Sequence, residues 1–301
     1  MIRFFNPYIH NHKLVLISAI IAGTVSSICK AQLTNSNFQN FSQTYINPYL
    51  INPAATDSSY SFNVIANNIN ELGLLKNVNR FYLDADKRYS TAEEGEFHFL
   101  GVQALNTKLG DYISGSKLQF RYSWLTKVTN KSMLSAGASL GFVNYSFQTT
   151  QGGTGGTDYG PDGAVGIHYL RKNTVLGVAV QQIFTPTLIP VNQSFQLKRL
   201  YNIDVTQRFD ISSFINLAFY SVLQLSDQGK SNYNVGMMTS VGEVGLIGIN
   251  NFSFTKTTVN LGLKNILLLD LRFKFVASYS FYHSGISLPD NILEVFVSIQ
   301  K

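Results

Sequence analysis

Charged residues are scarce in this chain, since Asp, Glu, Lys and Arg make up 13% of its 301 residues, whereas soluble domains average about 25%. Beyond the N-terminal region, no apolar run is long enough for a membrane helix, which needs about 20 consecutive apolar residues. A chain so poor in charge needs apolar surroundings for much of its surface. A transmembrane β-barrel provides them, because its outer face is apolar while its lumen is polar.

Cysteine is nearly absent as well, because the chain contains only Cys29. That residue lies in a region that we predict to be removed on export, so the mature chain would carry no thiol. This excludes disulfide frameworks and cysteine-based nucleophiles or metal sites. Basic charge is limited too: without Arg3, Lys13 and Lys30 the formal net charge falls by three, from +6 to +3. The remaining basic residues are scattered, which argues against nucleic acid as a partner.

The first residues have the pattern of a secretory signal peptide. A basic start is followed by the uncharged stretch Leu14–Ile28 and then by Ala31 and Gln32, so we predict cleavage after Ala31. The alternative is a lipoprotein acylated at Cys29, but Ile28 is larger than the small residue expected before such a cysteine. The predicted organisation is a signal peptide over 1–31, a lead-in segment over 32–58 and an outer-membrane barrel over 59–301.

Alternating side chains predict β-strands in the barrel region, because successive residues of a strand point to opposite faces. Near the C-terminus one face collects the apolar and aromatic residues Leu271, Phe273, Phe275, Ala277, Tyr279 and Phe281, and the other collects Arg272, Lys274, Val276, Ser278, Ser280 and Tyr282. The stretch 116–124 has the same design, with Leu118, Phe120, Tyr122 and Trp124 opposite Lys117, Gln119, Arg121 and Ser123. A helix would scatter these residues around its axis.

Turn signals divide the rest of the chain at intervals typical of a barrel. Short connections are predicted at 128–131, 171–173, 227–230, 242–243 and 256–257, and longer polar loops at 148–161 and 185–193. The segments between them predict an all-β, transmembrane, antiparallel up-and-down barrel of about 14 strands, an even number as in bacterial single-chain barrels. The soluble alternative is a periplasmic or secreted β-sandwich, which would have to bury charged stripes between its sheets.

Two Asn-Pro pairs precede the first predicted strand, Asn47-Pro48 and Asn52-Pro53, and Ala54 follows the second. Proline fixes its own φ angle and disfavours helix at the residue before it, so the segment is expected to be extended or turned. From these residues alone we expect an ordered lead-in that packs against the barrel.

The same residues resemble the start of mature proteins of the PorP/SprF family, which belong to the type IX secretion and gliding machinery of Bacteroidetes. That family opens with Asn-Pro, a short apolar spacer and Asn-Pro-Ala. A second stretch, containing Pro161, Asp162 and Gly166, is similar to the family's mid-chain Pro-Asp-(small)-Gly strand. The resemblance covers essentially the whole mature chain. It departs from the family in the first strand, where Tyr-Arg-x-Gln-Trp is common and this chain has Ile65–Asn68.

The resemblance implies a non-catalytic component of type IX protein secretion or gliding motility in the cell outer membrane. Its partners would be the lipid bilayer and either secretion and motility proteins or a secreted surface adhesin, with no cofactor and no small-molecule substrate. The alternative function is a passive outer-membrane channel or solute transporter.

The sequence contains two formal matches to enzyme motifs, and neither has the structural context that the motif requires. The stretch 137–141 matches Gly-x-Ser-x-Gly, but it lies within an alternating strand rather than at the sharp strand-to-helix turn that a nucleophile requires. The Gly-rich stretch 151–158 is not followed by Lys or by a helix, so it lacks the features of a phosphate-binding loop. The histidines His98, His168 and His283 are far apart and give no metal-binding spacing.

Several charged residues are predicted to face the lumen, and burying a lone charge is costly. We therefore expect mostly paired charges and a lumen narrowed by side chains, with Asn47–Ala54 tucked against it. The first strand, 59–69, should pair with the last, 290–300, because an open sheet edge in lipid leaves backbone groups unsatisfied. The candidate lumen charges are Lys117, Arg121, Arg272, Lys274, Glu96 and Glu294.

Overall fold

The strands of this chain close into one antiparallel barrel. The computed structural model describes residues 41–72, 77–90, 95–148, 155–191, 194–227, 229, 231–283 and 291–301. The barrel strands are β1 (Phe62–Leu72), β2 (Val78–Ser90), β3 (Phe97–Leu109), β4 (Ile113–Thr129), β5 (Ser132–Phe147), β6 (Gly156–Arg171), β7 (Thr174–Gln181), β10 (Leu200–Asp210), β11 (Ile215–Ser226), β12 (Ser231–Val241), β13 (Gly245–Phe252), β14 (Lys256–Leu268), β15 (Leu271–Tyr282) and β16 (Asn291–Gln300). Two short strands, β8 (Thr187–Leu188) and β9 (Phe195–Gln196), form a separate hairpin.

Pairing of the first and last strands closes the barrel. The β1–β16 register runs from Asn63 opposite Gln300 to Leu72 opposite Asn291, and the Ser61 amide donates to the Lys301 carbonyl oxygen at 2.5 Å. No unpaired first or last edge is therefore left in the sheet, as a lipid environment requires. The predicted all-β barrel and its number of strands are confirmed.

The two faces of the wall differ as the alternation predicts. On β4, Phe120 is 65% exposed on the outer face, whereas Gln119 and Arg121 on the inner face are almost completely buried. On β15, Phe275 and Tyr279 point outward while Ser278 and Ser280 are buried. The apolar face is thus available to lipid and the polar face lines the lumen. Within the described residues no helix combines the length and the apolar character needed to cross a membrane.

The two ends of the barrel differ in their connections. The terminal end carries both ends of the sheet and the connections 91–96, 130–131, 172–173, 211–214, 242–244 and 269–270. The loop end carries 73–77, 110–112, 148–155, 182–199, 227–230, 253–255 and 283–290, which include the longest ones. Outer-membrane barrels have short periplasmic turns and longer extracellular loops, so in such a membrane the terminal end would face the periplasm.

The predicted loop 148–161 is partly wrong, because β6 already begins at Gly156. Its Gly, Pro and Asp residues suggest a turn, but the segment pairs with β5 as far as Phe147 opposite Gly156. On its other side β6 pairs with β7 only from Ala164 onward, so residues 156–163 form a sheet edge. Proline is tolerated there because it needs no ladder partner, and Pro161 lies in this edge.

The predicted loop 185–193 belongs to a longer connection, residues 182–199, which we call the inward loop. Its Leu188 and Leu197 are fully buried, and the Phe195 ring packs edge-on against Tyr145 of the inner wall at 5.0 Å between centroids. The glycines of β6 make room for it, because a Cβ at Gly156 would lie 1.7 Å from the Pro190 carbonyl oxygen. The lumen is therefore filled from the loop end by part of the chain's own connection.

Candidate functional site: the occupied lumen

Residues 41–60 lie inside the barrel, and we call them the plug. A short 3-10 turn over Pro48–Leu50 interrupts the segment, with the first Asn-Pro pair at its start. After the second pair the Ala54 amide donates to the Asn52 side-chain oxygen at 2.9 Å and the Ala55 amide donates to the Asn52 carbonyl at 3.1 Å. The prolines and these local turns replace a regular ladder, so the segment follows an irregular path.

The barrel wall supplies the hydrogen bonds that this irregular backbone lacks. Between Tyr49 and Ala55, five plug carbonyls each accept a hydrogen bond from a different wall side chain. Buried backbone groups away from water require such partners. The pairs are Gln103 to Tyr49 at 3.4 Å, Gln181 to Leu50 at 3.0 Å, Asn202 to Ile51 at 2.9 Å, Ser123 to Pro53 at 2.6 Å and Arg121 to Ala55 at 3.3 Å.

Arg121 is the charged centre of the contact between plug and wall. Its guanidinium lies 2.9 Å from an Asp84 oxygen and 3.5 Å from an Asp86 oxygen, and all three side chains are almost completely buried. The guanidinium carbon also lies 4.0 Å from the centroid of the Tyr49 ring, a cation–π geometry. A buried cation that is compensated by two wall carboxylates and one plug ring ties the plug to β2 and β4.

Two plug hydroxyls extend this cluster. Tyr49 and Tyr60 are hydrogen-bonded through their hydroxyl groups, and the Tyr60 hydroxyl donates to Asp86 at 3.4 Å. Burial raises the pKa of the Tyr49 hydroxyl above its ordinary value, and the nearby Asp86 carboxylate raises that pKa further. Both effects disfavour the phenolate, so the hydroxyl remains a donor.

Glu294 anchors the start of the plug. One of its oxygens accepts from the Ser42 amide at 2.9 Å and from the Ser42 hydroxyl, and the other accepts from the Asn67 amide at 2.9 Å. Nearby, the Asn234 amide donates to the Ser42 carbonyl at 3.2 Å. Glu294 is buried on the inner face, and neutral donors rather than a cation satisfy its charge.

The two separate motifs of the sequence meet in the lumen. The Asn52 side chain donates to the carbonyls of Ile167 on β6 and Val178 on β7 at 3.2 and 3.4 Å. A Cβ at Gly166 would lie 2.0 Å from the Asn52 side-chain oxygen, so only glycine allows this approach. Ala54 is fully buried. Asn47 is buried too, but neither side-chain atom has a hydrogen-bond partner among the described residues.

Asp162 is paired within the inner wall. The Lys117 ammonium lies 2.9 Å from one Asp162 oxygen, and the Gln119 amide donates to that oxygen at 3.1 Å. Pro161 lies beside it on the outer face and is exposed. Lys117, Arg121 and Glu294 are thus lumen residues whose charges are compensated.

Glu96 lies outside the lumen, and the prediction for it is wrong. It accepts a hydrogen bond from the Trp124 indole at 2.5 Å and lies 3.9 Å from His98, and both partners are on the outer face of the wall. The physical reason is the alternation of side chains along a strand. Phe97 and Phe99 of β3 point inward, so the even-numbered residues beside them, including Glu96, point outward.

Arg272 and Lys274 lie on the inner face of β15 at the terminal end. Arg272 is exposed at the rim, whereas Lys274 lines a cavity of about 640 Å³ that we call the terminal vestibule. The plug forms its inner end, and its other charged residues are Lys172, Arg208, Lys264, Asp57, Asp204, Asp210 and, when protonated, His168. Sequence reasoning missed Arg208 and Lys264, although both lie on the inner face by alternation.

The described residues provide no group of three or more His, Cys, Asp or Glu side chains placed to hold a metal ion. Ser139, the central residue of the Gly-x-Ser-x-Gly match, lies within β5 and its hydroxyl donates to Gln119 at 3.2 Å. His168 is paired with Asp204 at 3.1 Å. The polar groups of this lumen are arranged to hold protein backbone.

A closed, even-stranded antiparallel barrel with an apolar outer face and a polar, occupied lumen defines an outer-membrane β-barrel protein. The chain belongs to the PorP/SprF family of type IX secretion system membrane proteins, whose profile matches residues 33–299. Among curated protein sequences no match was found.

The solved structures that the chain resembles are outer-membrane barrels of low sequence identity. The toluene transporter TbuX of Ralstonia pickettii has a TM-score of 0.58 at 13% identity, over 88% of this chain and 94% of that chain. The monoaromatic hydrocarbon channel CymD has a TM-score of 0.54 at 14% identity, over 88% and 93%. The Pseudomonas putida toluene transporter TodX has a TM-score of 0.52 at 10% identity, over 84% and 92%. At this identity the likeness establishes the fold alone.

Proposed function

We propose that this chain is a non-catalytic docking barrel of type IX protein secretion and gliding motility. Seated in the cell outer membrane, it holds proteins of the secretion or motility complex, or a secreted surface adhesin. The observation that supports this most directly is the occupied lumen. The plug and the inward loop contribute to one hydrophobic cluster in the interior, which includes Phe41, Tyr49, Leu50, Leu188 and Leu197.

The alternative, a passive channel or solute transporter, is the function named for the solved structures of similar fold. Passage of a solute would require the plug to leave the wall side chains that bind its carbonyls, and each buried group left unsatisfied costs about 1–3 kcal/mol. The wall is also rich in amides rather than in apolar side chains of the kind that line small-molecule sites. Among these amides are Asn63, Asn67, Gln119, Asn202, Asn234, Asn250 and Asn260.

Conductance of the purified protein in planar lipid bilayers tests the closed lumen. We expect no steady ion conductance from the intact chain, because the plug and the inward loop occupy the interior. The matched control is a variant that lacks residues 41–57 and keeps the barrel strands, and it should conduct. Steady conductance of the intact chain, comparable to that of the control, would favour the channel instead.

Purification of the tagged chain from gently solubilised native membranes tests docking. We expect secretion-complex proteins or one large secreted protein to co-purify with it in a fixed ratio, as in a specific complex. A tagged outer-membrane barrel of another family from the same membranes is the control for non-specific capture. A chain that purifies alone, or with the same proteins as the control barrel, would contradict the proposal.

A further inference from the structure

The cations of the terminal vestibule differ from those around the plug. Arg80, Lys117 and Arg121 of the inner wall each lie within 3.0 Å of a carboxylate oxygen. In contrast, none of the described carboxylates lies within 4.0 Å of the side-chain nitrogens of Arg208 or Lys264. The same holds for Lys274, so these three vestibule cations have no carboxylate partner among the described residues.

These cations also act on one another. Arg208, Lys264 and Lys274 line the same cavity, so their like charges repel one another. Asp57 of the plug also lines the cavity, and its carboxylate accepts a hydrogen bond from the Ser59 amide at 2.9 Å. Of the remaining acids, Asp204 is paired with His168 and Asp210 accepts a hydrogen bond from Asn173. Repulsion of this kind is relieved when an anion enters the cavity.

We propose that the terminal vestibule receives an acidic peptide segment of a partner protein, with its carboxylates on Arg208, Lys264 and Lys274. The proposal rests on the docking function and names the class of partner segment. The three cations come from β10, β14 and β15, so they are spread along the cavity wall and suit several carboxylates of one extended segment. A volume of about 640 Å³ lies within the range of about 300–1,000 Å³ typical of binding pockets.

The other lining residues favour a peptide over a lipid headgroup. Leu170, Val175 and Leu246 line the same cavity and provide apolar contacts for the side chains that alternate with acidic ones. Most of the lining belongs to the inner face of the wall and to the plug, so the cavity lies within the barrel rather than on its lipid face. Its mouth lies at the terminal end, the side that faces the periplasm.

Binding of a defined acidic peptide to the full chain tests the proposal. The probe is a short fluorescein-labelled peptide in which Glu alternates with Ala and Leu, and fluorescence anisotropy is measured with protein in a zwitterionic detergent. We expect saturable binding that weakens as salt is added, and no binding of the same peptide with Gln in place of Glu. The affinity of the variant Arg208→Gln/Lys264→Gln/Lys274→Gln for the peptide should be lower by a factor of about ten or more.

The matched control variant is Lys127→Gln/Lys131→Gln/Arg171→Gln, which removes three exposed cations of the same barrel end that do not line the vestibule. It should bind the peptide as the unmodified chain does. Lys264→Arg/Lys274→Arg should also retain binding, because it keeps the charge. Equal binding by the Gln variant and the unmodified chain would overturn the proposal.

Two further outcomes separate this proposal from its alternatives. Displacement of the peptide by an equimolar amount of phosphatidylglycerol in the micelles would assign the vestibule to a lipid headgroup. That result would overturn the proposal that the vestibule binds a peptide. If the Gln variant loses the peptide but still co-purifies with the native partners, those partners dock elsewhere. That result would overturn the vestibule as the docking site and leave the docking function intact.

Discussion

The two asparagines of the Asn-Pro pairs have the same chemistry but different surroundings. Asn52 donates to two wall carbonyls and accepts from Ala54, whereas the buried Asn47 amide has no partner among the described residues. We expect Asn52→Ala to lower the free energy of unfolding by about 1–3 kcal/mol, because hydrogen bonds to buried groups are lost. Asn47→Ala is the matched control and should cost clearly less. Urea unfolding in lipid vesicles measures both, and a larger loss for Asn47→Ala would contradict the contacts described for the plug.

Removal of the Arg121 cation should be more damaging than either asparagine change. Arg121→Met leaves Asp84 and Asp86 buried beside each other without their cation, and breaking a buried pair costs about 3–5 kcal/mol. Unfolding midpoints of the variant and the unmodified chain would show this. The double variant Arg121→Met/Asp84→Asn should regain part of the loss, because one uncompensated charge is removed. No recovery would mean that Arg121 acts mainly through Tyr49 and the plug backbone.

At the scale of the strand, the alternation of faces predicts opposite tolerances for the same new residue. Phe275→Arg and Phe219→Arg place a guanidinium on the lipid face, where both side chains are exposed, and should cost about 2–4 kcal/mol near the bilayer midplane. Asn216→Arg is the control, because Asn216 faces the terminal vestibule and is exposed there. Unfolding from lipid vesicles gives the comparison. Equal tolerance at the three positions would rule out a division between lipid and lumen.

The strands were the most predictable part of the structure. Their alternation gave the barrel, its strand number and the inner and outer residues of β4 and β15, because one buried face imposes the period of two. Ends of strands were less predictable, since Gly156–Gly163 has the composition of a loop and becomes a strand only through its pairing with β5. Glu96 was placed on the wrong face, although the inward Phe97 and Phe99 beside it carried the signal.

The interior could be predicted only in part. The Asn-Pro pairs marked the plug as ordered, but its path depends on wall residues distant in the chain, such as Gln103, Gln181 and Asn202. An irregular segment has no period, so no local pattern shows which carbonyl meets which donor. The entry of the inward loop into the lumen could not be predicted either, because the polar composition of this segment is that of a solvated connection.

At the scale of the whole molecule, the export signal remains a prediction, because residues 1–40 lie outside the described residues. The basic start, the apolar stretch 14–28 and Ala31-Gln32 predict a mature chain that begins at Gln32. N-terminal sequencing of protein extracted from the outer membrane should show Gln32 or its cyclised form. Incorporation of labelled palmitate at Cys29 would instead show a lipoprotein.

In a crowded outer membrane, neighbouring copies of a barrel meet side by side, and an unpaired sheet edge of one copy can pair with that of another. The edge of β6 discourages this. Pro161 has no amide hydrogen to offer, and the Tyr159 amide is already occupied by the Asp158 carboxylate at 2.8 Å. Asp158 is partly exposed, so two such edges would also meet with like charge. Pro161 and Asp158 thus make this edge a poor partner for the sheet edge of a second copy.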